Sequence, residues 1–149
     1  MSGTDAVPYE YVVLRCVPRA DREEFVNVGV ALHCRDSDLL GVRWHVDEAR
    51  LAALWPALDP EEVRTSLRFA QAVAEGDAAG AGAAAAGPIS TRFGFLKAPR
   101  STVVRPGPVH GGVTEDPVAC LDRLLAVLVA AAAGPAPTQT GTSSTAPTA

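Results

Sequence analysis

The chain has 149 residues, 48% of them hydrophobic and 20% charged, and its formal net charge is −4. That length suits one domain, the apolar fraction is enough for a real core, and the acidic balance argues against nucleic acid as a ligand. Twelve arginines stand against one lysine, one asparagine and one isoleucine, and Ala, Gly, Pro and Val are abundant. The skew is that of GC-rich codons, so alanine runs carry little functional weight and a disfavoured residue such as Asn27 carries more.

Residues 1–8 hold neither a basic stretch nor an apolar one, so no signal peptide is readable and a flexible N-terminus is expected. Tyr9 to Val17 reads as a strand, rich in β-branched and aromatic residues and closed by Pro18. Glu24 to Cys34 reads as a second. Strict alternation would place Val26, Val28, Val30 and Leu32 on one face and Phe25, Asn27, Gly29, Ala31 and His33 on the other. Arg35 to Asp38 is a turn, and Leu39 to Val46 is the third strand of a meander. A four-residue loop would set Gly29 opposite Trp44 and Ala31 opposite Val42, large side chains covering small ones.

Helices follow. Asp47 is positioned to cap a short helix that stops before Pro56. Asp59-Pro60-Glu61-Glu62 is a strong start signal. Val63, Leu67, Ala70 and Ala74 then share a face, and Gly76 ends the helix. Residues 77–88 are an Ala/Gly-rich, low-complexity stretch expected to be a mobile loop. Ser90 to Val104 has the aromatic and β-branched character of one or two short strands, broken at Pro99. Arg105 to Val113 reads as turn-rich coil. Asp116-Pro117 repeats the start signal for a last helix, Val118 to Ala133, too short to cross a bilayer. Residues 134–149 lack charge and large apolar side chains, the composition of a disordered tail. The expected architecture is α+β: residues 9–133 form a single domain with a small antiparallel meander sheet of three to five strands, packed against two or three helices.

Charge is distributed unevenly. Between Ala78 and Thr114 there is no Asp or Glu, yet the segment holds Arg92, Lys97, Arg100 and Arg105, a charge of +4, with His110 besides. The remaining residues carry 9 basic and 17 acidic groups, or −8. Such an island suits a phosphate, a nucleotide or an acidic partner. Within it, Lys97 to Thr102 sets two cations, Lys97 and Arg100, beside two hydroxyls, Ser101 and Thr102, the donors that phosphate oxygens need. A solvated loop of accidental sign is the plainer account.

Asn27 is the second point of interest. Beside Gly29, with His33 on the same expected face and Arg15 on the neighbouring strand, it could line a pocket for a carbonyl or an anion. More simply, Asn27 bonds ordinary backbone and Gly29 makes room for Trp44. His33, His45 and His110 show no zinc spacing, so neither a metal nor a cofactor is expected. No phosphate-binding glycine loop or nucleophile elbow is present. His110 is the one candidate acid or base, with Ser101 a dyad partner on paper only. Cys16, Cys34 and Cys120 are odd in number and lack paired spacing, which suits buried thiols in a reducing, cytoplasmic compartment.

Glu24-Phe-Val-Asn-Val-Gly-Val30, Ala98-Pro-Arg-Ser-Thr-Val-Val104 and Pro106-Gly-Pro-Val-His110, with the opening Tyr9-Glu-Tyr-Val-Val-Leu-Arg15, resemble a bacterial family, domain-of-unknown-function family 3037. The resemblance covers roughly residues 9–130. It implies actinobacterial-type company, no established activity, and a partner role beside a kinase resembling the toxin kinase HipA. It supports the positions Arg15, Asn27, Gly29, Arg100, Ser101, Pro108 and His110, of which all but Pro108 are the candidate binding residues. The chain departs from the family pattern at Arg105, where an uncharged residue such as Gln is more typical. Two functions stay open: a non-catalytic accessory module, working with the kinase-like protein or a small anionic ligand, and an enzyme acting on a phosphorylated or nucleotide-like substrate held by residues 97–110.

Overall fold

The computed structural model describes residues 5–130. A five-stranded antiparallel sheet forms its centre, with five helices around it. The strands are β1 (Val7–Cys16), β2 (Val26–Cys34), β3 (Leu39–Trp44), β4 (Val104–Pro106) and β5 (His110–Thr114). The order is β3-β2-β1-β4, and β5 also pairs with β1. The α+β class and antiparallel sheet are therefore as the sequence led one to expect. So is the hairpin register, with Gly29 opposite Trp44 and Ala31 opposite Val42.

β1 is paired along both edges. β2 takes one. On the other, β5 lies against Val7–Tyr11 and β4 against Leu14–Cys16. Residues 104–114 thus run beside β1 as one interrupted strand. Three residues, 107–109, oppose two of β1, and the Gly107 amide still reaches the Val13 carbonyl at 2.8 Å. The expected coil is an edge strand with a bulge. Val7 and Pro8, expected in a flexible terminus, belong to β1 because Thr114 and Val113 pair with them.

A second bulge corrects the faces of β2. The register with β1 shifts between Leu14 and Arg15, leaving Val28 without an opposite number. Alternation therefore changes phase there. Val26, Val28 and Ala31 join one core, and Val30, Leu32 and Cys34 join the other. Asn27 and His33, placed together by strict alternation, lie on opposite faces.

Both faces are covered. Below the sheet lie α1 (Glu48–Leu54), α2 (Pro60–Glu75), α3 (Ala78–Ala81) and α4 (Ile89–Lys97), and above it lies α5 (Pro117–Leu128). The start signals act as expected: Asp47, Asp59 and Asp116 each accept a bond from a first-turn amide, and Gly76 closes α2 at φ 69°. Trp44 Nε1 donates to Gln71 Oε1 at 2.9 Å, joining β3 to α2.

Two segments differ from expectation. The Ala/Gly stretch takes two short helical turns, α3 and a 3-10 turn at Gly82–Ala85, because Asp77 caps the first and Ala81 and Ala85 are buried against the core. Residues 89–97 are helix, not strand. Ile89, Phe93 and Leu96 recur at spacings of four and three and all pack into the same core. The last helix, α5, starts at Pro117 and ends at Leu128, short of the expected Ala133, and the expected tail lies outside the described residues.

Candidate functional site

Arg15 is where the Asn27 strand and the basic segment meet. It lies directly opposite Asn27 on β2 and directly opposite Arg105 on β4, so the three residues form one row on the face that carries α5. The Arg15 guanidinium lies 4.1 Å from the centre of the Phe25 ring. Gly107 approaches it closely, and a Cβ added there would stand 3.0 Å from Cζ and Nε. The Nε of Arg15 is enclosed and has no acceptor.

Asn27 turns its amide toward α5. Its Nδ2 donates to the Leu128 carbonyl at 3.1 Å, fastening the end of α5 to β2. Gly29 lies on the opposite face, where a Cβ would stand 3.1 Å from the Arg43 carbonyl oxygen, 3.2 Å from Trp44 Cβ and 3.3 Å from Leu14 Cδ1. Its small size admits Trp44.

Below the sheet, Arg100 borders a 330 Å³ cavity between α2, the end of α4 and β4. Leu14, Phe69 and Leu96 make its apolar wall, and Thr65, Ser66 and Thr102 bring hydroxyls to it. Arg100 stacks 4.6 Å above the Phe95 ring and donates to the Phe95 carbonyl. Its Nε is enclosed without an acceptor, and burial holds its pKa below the ordinary value. Arg105 also borders the cavity; its Nε donates to the Thr102 carbonyl at 2.9 Å and its Nη2 to that of Ser101 at 3.4 Å. Among the described residues, no carboxylate stands within ion-pair distance of Arg15, Arg100 or Arg105. The ion pairs present use Arg19, Arg22, Arg43, Arg64 and Arg68 instead.

The other cations of the basic segment point elsewhere. Arg92 donates to the carbonyls of Gly87 and Ala74 at 2.6 and 3.3 Å, tying α4 to the end of α2. Lys97 lies over Phe93, whose ring also stacks with His33. His110 is exposed and pairs with Tyr11, their rings 5.3 Å apart. Tyr11 precedes Arg15 by four residues, which places His110 about 13 Å along the strand from the Arg15 row. The six sequence-chosen residues thus divide: Arg15 and Asn27 form one row, Arg100 shares a cavity with Arg105 while the Ser101 carbonyl accepts from Arg105, and Gly29 and His110 stand apart from both. Among the described residues no group of three His, Cys, Asp or Glu is gathered to hold a metal ion.

Phe25, Gly107 and the α2 residues Thr65, Ser66 and Phe69 were not legible as site residues. An aromatic two positions before Asn27 was the available signal for Phe25. The α2 residues had none, since they reach the cavity only through packing across the core.

A family model described as Protein of unknown function (DUF3037) matches residues 11–129. No curated protein and no solved structure matches the chain.

Proposed function

The chain belongs to that family of proteins of unknown function, and from this premise we propose that it is a non-catalytic binding module which takes an anionic group into the Arg100 cavity. One observation carries the reading. Arg100 is a partly buried cation beside a cavity, and among the described residues it has no carboxylate in reach and its enclosed Nε meets no acceptor. A cation out of water needs a counter-charge. An anion in the cavity would supply it, with Thr65 as a neutral donor, since the Ser66 and Thr102 hydroxyls already donate to the Glu62 and Val104 carbonyls. The apolar wall suits a ligand whose anionic group is attached to a hydrophobic part.

The accessory role belongs to the same proposal. A HipA-like kinase is the partner that the family resemblance suggests, and a phosphorylated side chain of such a kinase has the required chemistry. The three buried free thiols fit a reducing compartment, and we place the module in the cytoplasm on that basis. Among the described residues no helix is long and apolar enough to cross a membrane.

Calorimetry with phenyl phosphate, which joins an aromatic ring to a phosphate, tests the cavity. Binding is expected to weaken about tenfold or more in Arg100→Gln, the loss of one charge-assisted contact. Equal affinity in the variant, or no binding to either, would refute the reading. Co-purification with the kinase tests the partner: two proteins that elute separately when mixed at high concentration do not form the complex.

A further inference from the structure

We propose that Arg15 and Arg105 form a second anion site, across β4 from the Arg100 cavity, which accepts a phosphate-class dianion. The sheet places the two arginines directly opposite each other on neighbouring strands. Their Cα atoms are then about 5 Å apart, and like charges in that position destabilise a strand pair. Five other arginines, Arg19, Arg22, Arg43, Arg64 and Arg68, share six ion pairs among the described residues. Neither Arg15 nor Arg105 has one among the described residues. Two guanidinium groups without a carboxylate, carried on paired residues that both border one cleft, match the charge of a phosphate monoester and offer it planar N–H pairs.

The site is also held in shape before any ligand arrives. Phe25 lies 4.1 Å from the Arg15 guanidinium and Gly107 approaches it closely, so the long side chain has less freedom left to lose. A Cβ at 107 would stand 3.0 Å from the guanidinium carbon, so a larger residue there would push the Arg15 head by a few tenths of an ångström. Arg105 is steadied by the carbonyls of Ser101 and Thr102. In front of the pair is a 330 Å³ cleft bordered by Ala20, Glu23, Phe25 and Pro106, large enough for a phosphate and its first attached atoms. Glu23 is the one acid on its rim. It is exposed and makes no ion pair with Arg15, and it opposes an entering anion. The site stands independently of the Arg100 cavity, although Arg105 borders both.

The enclosed Nε–H of Arg15 is a natural reporter, since protection from water slows its exchange. The test is a nitrogen-15 NMR titration of the full chain with inorganic phosphate and, separately, with phosphoserine, at constant ionic strength. Either ligand is expected to shift the Arg15 Nε–H signal saturably, and the stronger of the two tells a free ion from a phosphoryl group. Arg105→Gln should weaken binding about tenfold, and Glu23→Gln should strengthen it two- to threefold, roughly the worth of one exposed charge. Arg15→Lys keeps the charge but loses the fork and the Nε–H reporter; followed through the Gly107 backbone amide instead, it should also weaken binding about tenfold. Because Arg15 packs on Phe25, the amide spectrum of each variant serves as the check that it has folded; Arg105→Gln removes no packing there and decides the matter if Arg15→Lys does not fold. In Arg100→Gln the shift should persist unchanged, which separates this site from the cavity. An Arg15 signal unmoved by both ligands, an Arg105→Gln variant that binds like the parent, or loss of the shift in Arg100→Gln would each overturn the proposal.

Discussion

At the scale of single residues, burial decides the chemistry of the thiols and of one histidine. Cys16 is fully buried, and that burial pushes its thiol up to about 11. Cys34 and Cys120 are buried too. A thiolate is the reactive form, so none of the three should react with a disulfide reagent near pH 8 until the chain unfolds. A thiol titration with and without denaturant checks this, and prompt labelling of the folded protein would contradict it. His33 is stacked on Phe93, and burial lowers its pKa, opposed by Glu10 and assisted by Lys97 and Arg35. Unfolding at acid pH then adds a proton to it. Its contribution to stability is whole above the unfolded value of about 6.5 and is lost as the pH falls toward the lower folded value. Melting temperature should therefore decline below about pH 6.5, and His33→Phe should make that decline shallower. Asn27 matters for a different reason. Its bond to the Leu128 carbonyl joins α5 to β2, so Asn27→Ala should cost about 1 kcal/mol in denaturant unfolding, with α5 the first element to lose amide protection.

At the scale of elements, the segments that declared themselves did so through local chemistry. Asp59-Pro60 and Gly76 delimit α2 because a cap, a fixed φ and a left-handed stop are properties of single residues. The Gly29–Trp44 register was readable because a tight turn and complementary sizes fix a hairpin. The bulge at Val28 was not, since it is imposed by pairing with β1, far away in sequence. Nor was α4, where two phenylalanines suggested strand and the 89, 93, 96 spacing was the better guide. The site followed the same rule. Arg15 and Asn27 could be singled out, but their place opposite each other, and opposite Arg105, depends on a register that only the folded sheet sets. The Ala/Gly segment gives a test with a decisive sign. In a free loop, Gly80→Ala would be neutral or stabilise by a few tenths of a kcal/mol, by restricting the unfolded chain. In α3 the new Cβ would stand 2.8 Å from Ala72 Cβ on α2. That overpacking should destabilise by about 1–2 kcal/mol, read as a lower denaturant midpoint at unchanged slope.

At the scale of the whole molecule, the sheet separates two apolar cores, and β1 is the element that every other strand or core depends on. Its even-numbered residues Val12, Leu14 and Cys16 enter the core under α2 and α4, while Val7, Tyr9 and Tyr11 face the one under α5. Its two edges are held by β2 on one side and by β4 and β5 on the other. The edge formed by β4 and β5 is weaker. It is interrupted at 107–109, it contains Gly111 and Gly112, and most of β5 is exposed. Opening free energies should therefore be graded across the sheet. Native-state hydrogen exchange is expected to find the amides of Val12, Val13 and Leu14 exchanging only with global unfolding, together with those of Val30 and Leu32 on β2. Amides of β4 and β5 should exchange through smaller openings. This grading bears on binding, because Arg105 and Gly107 sit on the weaker edge while Arg15 sits on the rigid strand. A phosphate bridging Arg15 and Arg105 would tie the two together, so saturating ligand should slow exchange in β4 more than in β1 or β2. Uniform protection across the sheet in the free protein would show that the interrupted edge opens only with the whole, and would remove the basis for a ligand that acts there selectively.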